Sequence, residues 1–194
     1  AGGYSHGLTN PTSGNVLYQA GSTAFAAWVN AANAAMLAEG YRLAGLDSLK
    51  DAYLAHAEEA WNQASTYAEP MLEARLNVGE GQMTGGDFKM TAAAYLYNLT
   101  GETRYEDAVA ALSLATTDAA QLRISTTWLD NGREQLWATA GYLFTPQTVN
   151  HPSLQARMMA SVIADAKTSE ANFTNRRPSR RATDKNNGYF QTIQ

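Results

Sequence analysis

Five carboxylates fall where the sequence predicts loops or helix ends: Glu80, Asp87, Asp130, Glu134 and Asp184. Two such groups held close together can divide acid and base work, one protonated to assist a leaving group and one ionised to activate water. Each also has a plainer use. Asp87 follows Gly85-Gly86 and opens an apolar helical pattern, which suits a helix N-cap. Asp130 and Glu134 stand four apart on one predicted helical face, with Arg133 placed to neutralise either, as in a surface pair. Glu58 and Glu59 lie mid-helix beside alanines and read as a solvated face. Asp184, Asp87 and Glu134 are left as the catalytic candidates.

Other chemistries are excluded or unsupported by residue type. There is no cysteine, so thiolate catalysis and Cys-based zinc sites are ruled out. His6, His56 and His151 are scattered, and position 60 beyond His56 is Ala60, so no metal or cofactor is expected. The glycine-rich stretch Gly79–Gly86 lacks the Lys-Ser/Thr of a phosphate-binding loop. Asn98-Leu99-Thr100 and Asn172-Phe173-Thr174 match the N-glycosylation acceptor pattern, whereas Asn10-Pro11-Thr12 is excluded by its proline.

The elements that must carry these groups are helices. The 194 residues hold 35 alanines, with 45% apolar and 16% charged residues, a composition that excludes disorder and favours close helix packing. No run approaches the 18 apolar residues of a membrane span, so no membrane partner is expected. Residues 1–21 are Gly-, Ser- and Asn-rich and read as an N-terminal arm. A helical-hairpin domain of about three hairpins follows over 22–173, and 174–194 form a basic and aromatic C-terminal arm or loop. Ser22 or Thr23 caps a first helix carrying Phe25, Trp28, Val29, Ala32, Ala35 and Met36. A second opens at Asp47 or Ser48 with Tyr53, Ala57, Ala60, Trp61 and Ala64. Residues 70–86 read as a long loop. Further helices are expected over about 87–99, 103–116, 126–144 and from Pro152.

The hairpins repeat. Tyr41 to Ala52 aligns without a gap on Tyr97 to Ala108, at an offset of 56 residues. Gly45 and Gly101 coincide, as do Leu49 with Tyr105 and Asp51-Ala52 with Asp107-Ala108. The two glycines are expected to be left-handed turn residues, with Leu49 and Tyr105 packing back across each turn. A looser third copy runs through Gly141 to Ala156, with Leu154 in the packing role.

Two stretches resemble the six-hairpin glycosidases, in particular glycoside hydrolase family 9, the inverting cellulases. They are Ala20 to Trp28 through Ala55-His-Ala-Glu-Glu-Ala-Trp61, and Gly85-Gly86-Asp87-Phe88 through Ala92-Ala-Ala-Tyr95-Leu-Tyr97-Asn-Leu-Thr-Gly101. The likeness covers about residues 20–110. It implies an all-α fold of antiparallel hairpins forming part of an α/α toroid. It also implies a secreted (extracellular or periplasmic) protein that acts on or binds β-linked polysaccharide without a cofactor. Inverting hydrolysis needs carboxylates about 6.5–9.5 Å apart. The family's Asp-Ala-Gly-Asp base motif is missing, its late paired histidines and acid are unmatched over 150–194, and Asp87-Phe88 replaces an Asp-Glu pair. Six helices are also half the number of a six-hairpin ring. The chain is therefore expected to be one part of a larger catalytic domain, or a non-catalytic structural or carbohydrate-binding subunit that self-assembles through its arms.

The tail admits two uses. Arg176, Arg177, Arg180 and Arg181 could hydrogen-bond sugar hydroxyls or a uronate while Tyr189 and Phe190 stack on the sugar. Alternatively Asn187-Gly188 turns a strand onto another subunit or a missing half of the ring. The net charge of −4, with a pI near 5.3, argues against nucleic acid as the partner of these arginines.

Overall fold

A computed structural model describes residues 22–78, 81–124 and 132–176, without the side chains of 76–78, 81 and 168–176. The N-terminal arm, the C-terminal arm beyond Arg176, Glu80 and Asp130 lie outside the described residues. The elements are α1 (Ala24–Leu43), α2 (Asp47–Thr66), β1 (Arg75–Val78), β2 (Gly81–Thr84), α3 (Gly85–Thr100) and α4 (Thr103–Leu112). After these come β3 (Arg123–Ile124), β4 (Arg133–Glu134), α5 (Leu136–Leu143) and α6 (Pro152–Arg176). The chain is mainly helical, as the alanine content and periodicity predict.

Local rules set most helix ends. Thr23 caps α1 by accepting from the Ala26 N–H at 3.1 Å. Gly45 and Gly101 have φ of +71° and +70°, the backbone region in which a Cβ is strained. At Gly45 the Leu46 N–H reaches Tyr41 O and the Gly45 N–H reaches Arg42 O, so α1 ends in a Schellman motif. Gly101→Ala adds a Cβ both at this φ and about 3.0 Å from Gln147 Oε1, so it is expected to destabilise by about 1 kcal/mol or more. Gly40 lies in exposed helix with open space around it, and Gly40→Ala is expected to stabilise by about 0.5–1 kcal/mol. Urea unfolding midpoints check both signs.

Alanine makes the packing close. α1 buries Ala27, Trp28, Ala31, Ala32, Ala35 and Ala38 against α2 and α3. α3 buries Met90, Ala92, Ala93, Ala94, Leu96 and Tyr97, so it is apolar on nearly every side and sits at the centre, with α1, α4 and α5 against it. Trp61 of α2 meets Trp28 of α1 and Tyr105 of α4 edge to face, each at 5.1 Å. The Lys89 ammonium lies 4.8 Å from the Trp28 ring centre, and burial lowers its pKa.

α1, α3 and α5 run the same way. Phe25 and Phe88 meet in the first turns of α1 and α3, 5.9 Å apart, and Gln135, just before α5, donates to Asp87 at 2.9 Å. At the far end Asn98 Nδ2 donates to Gly141 O at 3.0 Å. The turns 44–46 and 101–102 therefore lie at one end. The long connections 67–84 and 113–135 lie at the other.

Several expectations are corrected. Residues 70–86 are not simply a loop, because β1 and β2 pair antiparallel with Arg75 opposite Thr84. The fourth helix stops at Leu112 rather than Thr116: Gln135 donates to Leu112 O and accepts from the Leu114 N–H, replacing the bonds a further turn would make. The fifth helix begins at Leu136 rather than near Thr126, since Arg133 and Glu134 pair with Ile124 and Arg123 in a second hairpin. Glu134 is thus on a strand rather than in the expected helix. Gly141 lies inside α5 without a positive φ, so the third repeat copy has no turn glycine there, although Leu154 is buried as expected. The repeat is also unequal in packing. Tyr105 is fully buried beneath Trp61, while Leu49 remains 43% exposed. α6 continues to Arg176, past the expected boundary at 173.

Candidate functional site

Asp87 is the hub of the long-connection end. The N-cap of α3 is Thr84 rather than Asp87: the Asp87 N–H donates to Thr84 Oγ1, and Asp87 Oδ2 accepts from the Thr84 N–H, a capping box. The next donors above it are met by the preceding chain, Gly85 N–H to Ala74 O and Gly86 N–H to Leu72 O. A Cβ on Gly85 would meet Met71 O at 2.3 Å, so this crossing requires glycine.

The rest of the hub comes from the second hairpin. Arg133 donates to Asp87 Oδ1 through Nη2 at 2.8 Å and through Nε at 3.1 Å, and Gln135 Nε2 adds 2.9 Å. The Glu134 N–H approaches Asp87 Oδ2 at 3.4 Å. Arg75 ties the first hairpin to the second by donating to Gly132 O at 2.8 Å. Asp87 has no exposed surface, and its lone pairs are taken. It positions the two hairpins and has no free edge with which to activate water.

Glu134 is better placed for chemistry. Its side chain keeps 14% exposure, accepts from the Leu136 N–H at 2.9 Å and pairs with Arg123 at 3.2 Å. Burial raises its pKa, and the nearby Asp87 charge adds to the rise, while the Leu136 N–H and Arg123 oppose it. A carboxyl held above its ordinary range is what an acid role requires. The structure therefore brings Asp87 and Glu134 together with unequal roles.

Asp184, Arg177, Arg180, Arg181, Tyr189 and Phe190 lie outside the described residues, and Arg176 ends α6 without a described side chain. Asn172 lies in the same part of α6. Asn98 is corrected as a glycosylation site: it is 4% exposed, and its Nδ2, the atom that would carry a glycan, is bonded to Gly141 O. Arg75, Arg123 and Gln135 carry no signal in the sequence, but the capping box was legible as Thr84-x-x-Asp87.

A second hub occupies the short-turn end. Buried Glu106 accepts from Tyr142 Oη at 2.7 Å, from the Asn150 N–H at 2.7 Å and from Asn150 Nδ2 at 2.6 Å. Beside it His151 meets Asp107 at 2.8 Å, at the rim of a cavity of about 250 Å³ that Ala110 and Arg157 also line. Its partners are all structural, and the cavity is remote from Asp87 and Glu134.

Among the described residues no group of His, Cys, Asp or Glu is arranged to hold a metal ion, and no helix is long and apolar enough to cross a membrane. Fold and site define a class: paired antiparallel helices with two short β-hairpins clamped over three helix N-termini. Set beside known proteins, the chain matches no family model, no curated protein and no solved structure.

Proposed function

We propose that this chain is a glycosidase-like helical-hairpin domain, part of an α/α toroid, that holds β-linked polysaccharide across its long-connection end outside the cell or in the periplasm. The observation that carries this reading is polarity: α1, α3 and α5 run parallel, and their N-termini gather under the two hairpins, while the tight turns 44–46 and 101–102 and the 144–151 connection lie at the opposite end. Long connections above a rigid helical layer are where binding groups concentrate. Arg123 and Glu134 remain partly exposed there, which suits hydroxyl recognition.

The saturation of Asp87 favours binding without hydrolysis by these residues, in keeping with a carbohydrate-binding subunit. Complete catalysis would need a second carboxylate from elsewhere, with Glu134 the acid in this chain. Electrophoresis in native gels tests the reading. Soluble β-1,4-glucan in the gel should retard the protein and an α-linked glucan should not, and assay of reducing ends separates binding from cleavage. Equal mobility in both gels contradicts the proposal.

A further inference from the structure

Among the described residues, the half-buried Lys89 ammonium has no hydrogen-bond acceptor and no ion pair, whereas Lys50 pairs with Asp51 at 2.9 Å. What surrounds Lys89 is aromatic. Its Nζ lies 4.8 Å from the Trp28 ring centre and 5.7 Å from that of Trp61, and Trp28 Nε1 is fixed by donating to Pro70 O at 2.9 Å. The indoles attract a cation, but they offer no oxygen for its N–H groups and no negative charge to hold its proton. Asp87, the acid nearest in sequence, is taken up by Arg133 and Gln135. Lys89 and Trp28 each stand just past the first turn of the parallel helices α3 and α1. Helical side chains lean back toward the N-terminus, so two positive helix ends also disfavour the ammonium. Burial acts in the same direction.

We propose that Lys89, held at the junction of α1, α2 and α3, is a nucleophilic amine that takes small aldehydes as imines. The proposal does not rest on the polysaccharide reading. The free amine adds to the carbonyl carbon and forms the C–N bond. Loss of water then breaks the C–O bond, the carbonyl oxygen leaving with both amine protons. The imine is less basic than the amine, so the charge that burial and the helix ends penalise is discharged. The aldehyde must be small, because Trp28 and Trp61 are 1% and 7% exposed and present no open face to a larger ligand.

Trapping with glycolaldehyde and cyanoborohydride, read lysine by lysine through peptide mass spectrometry, tests the site. At neutral pH Lys89 should be labelled about tenfold faster than Lys50, whose proton is held by Asp51 and Asp47. The lead should shrink as the pH rises toward the ordinary lysine value of 10.5, where Lys50 also gives up its proton. Lys89 should also outpace the exposed Lys167, although it is the less accessible of the two. In urea the lead should vanish, because the helix ends and the indoles are gone. Lys89→Arg keeps a cation over the rings, so it should leave the urea midpoint unchanged while removing the fast phase of labelling. A Lys89 rate no faster than that of Lys167, a lead that survives unfolding, or a fast phase that persists in Lys89→Arg would each overturn the proposal.

Discussion

Asp87→Asn is expected to lower unfolding stability by about 3 kcal/mol, read as a fall in the urea midpoint at unchanged slope. The substitution keeps the size of the side chain, so no cavity is made. It removes the charge that offsets Arg133, whose side chain is only 23% exposed, so that its guanidinium would be left without its partner in a largely buried setting. It also sets an amide N–H₂ against the donors of Thr84, Gln135 or Arg133, whichever way the amide turns. Thr84→Ala, which loses only a cap, should cost about 1 kcal/mol. Glu102→Gln removes one partner of the half-exposed pair with Arg104 and should change little, because solvent screens it. If Asp87→Asn and Glu102→Gln proved equally mild, the hub would not be what clamps the hairpins.

The second large effect is at Glu106. Burial alone would favour its neutral form, but the bonds from Tyr142, from the Asn150 side chain and from the Asn150 and His151 backbones outweigh it and hold the pKa below the ordinary 4.5. The sign follows from linkage. With a depressed native pKa, the contribution of Glu106 is fully present above pH 4.5 and is lost as the pH falls through the native value. Glu134 acts in the opposite direction, because its native pKa is raised: its contribution is lost as the pH rises above 4.5 through the native value. Glu106→Gln should therefore cost about 2–3 kcal/mol at neutral pH and progressively less as the pH falls below 4.5, where the unfolded chain takes up the proton before the native state does. Urea titrations of both proteins across that range check it. A cost independent of pH would mean that ionised Glu106 is not what holds Tyr142, Asn150 and the 144–151 connection. Tyr142, whose own pKa is pushed up by burial and then by Glu106, remains a hydrogen-bond donor throughout.

What the sequence conveyed was the local part of the fold. Thr23, Gly45, Gly101 and Pro152 mark helix boundaries through their own backbone chemistry, and the structure places each boundary within a residue or two of them. The failures lie where distant residues decide. Arg133 and Glu134 fit a helical pattern, but Arg123 across the hairpin and Asp87, 46 residues before Arg133, hold them on a strand. Gln135 stops α4 from 23 residues away, and no period in the sequence announces it. Gly79 to Gly86 suggested a loop because glycine is poor in strands, yet the ladder from Arg75 to Thr84 forms regardless. Leu49 and Tyr105 share a repeat position, but only Tyr105 has a neighbouring helix over it. At the site, Asp87 and Glu134 were legible as carboxylates at element ends. Their division into a saturated hub and a partly open acid depends on Arg133, Arg123 and burial, which are tertiary facts.

Amide hydrogen exchange with and without soluble β-1,4-glucan tests most directly whether the hairpin end is the binding face. Slower exchange is predicted over 75–78, 81–84 and 133–137, with none at the turns 44–46 and 101–102. Protection confined to those turns, or no protection anywhere at a saturating glucan concentration, would contradict the assignment of function to that end.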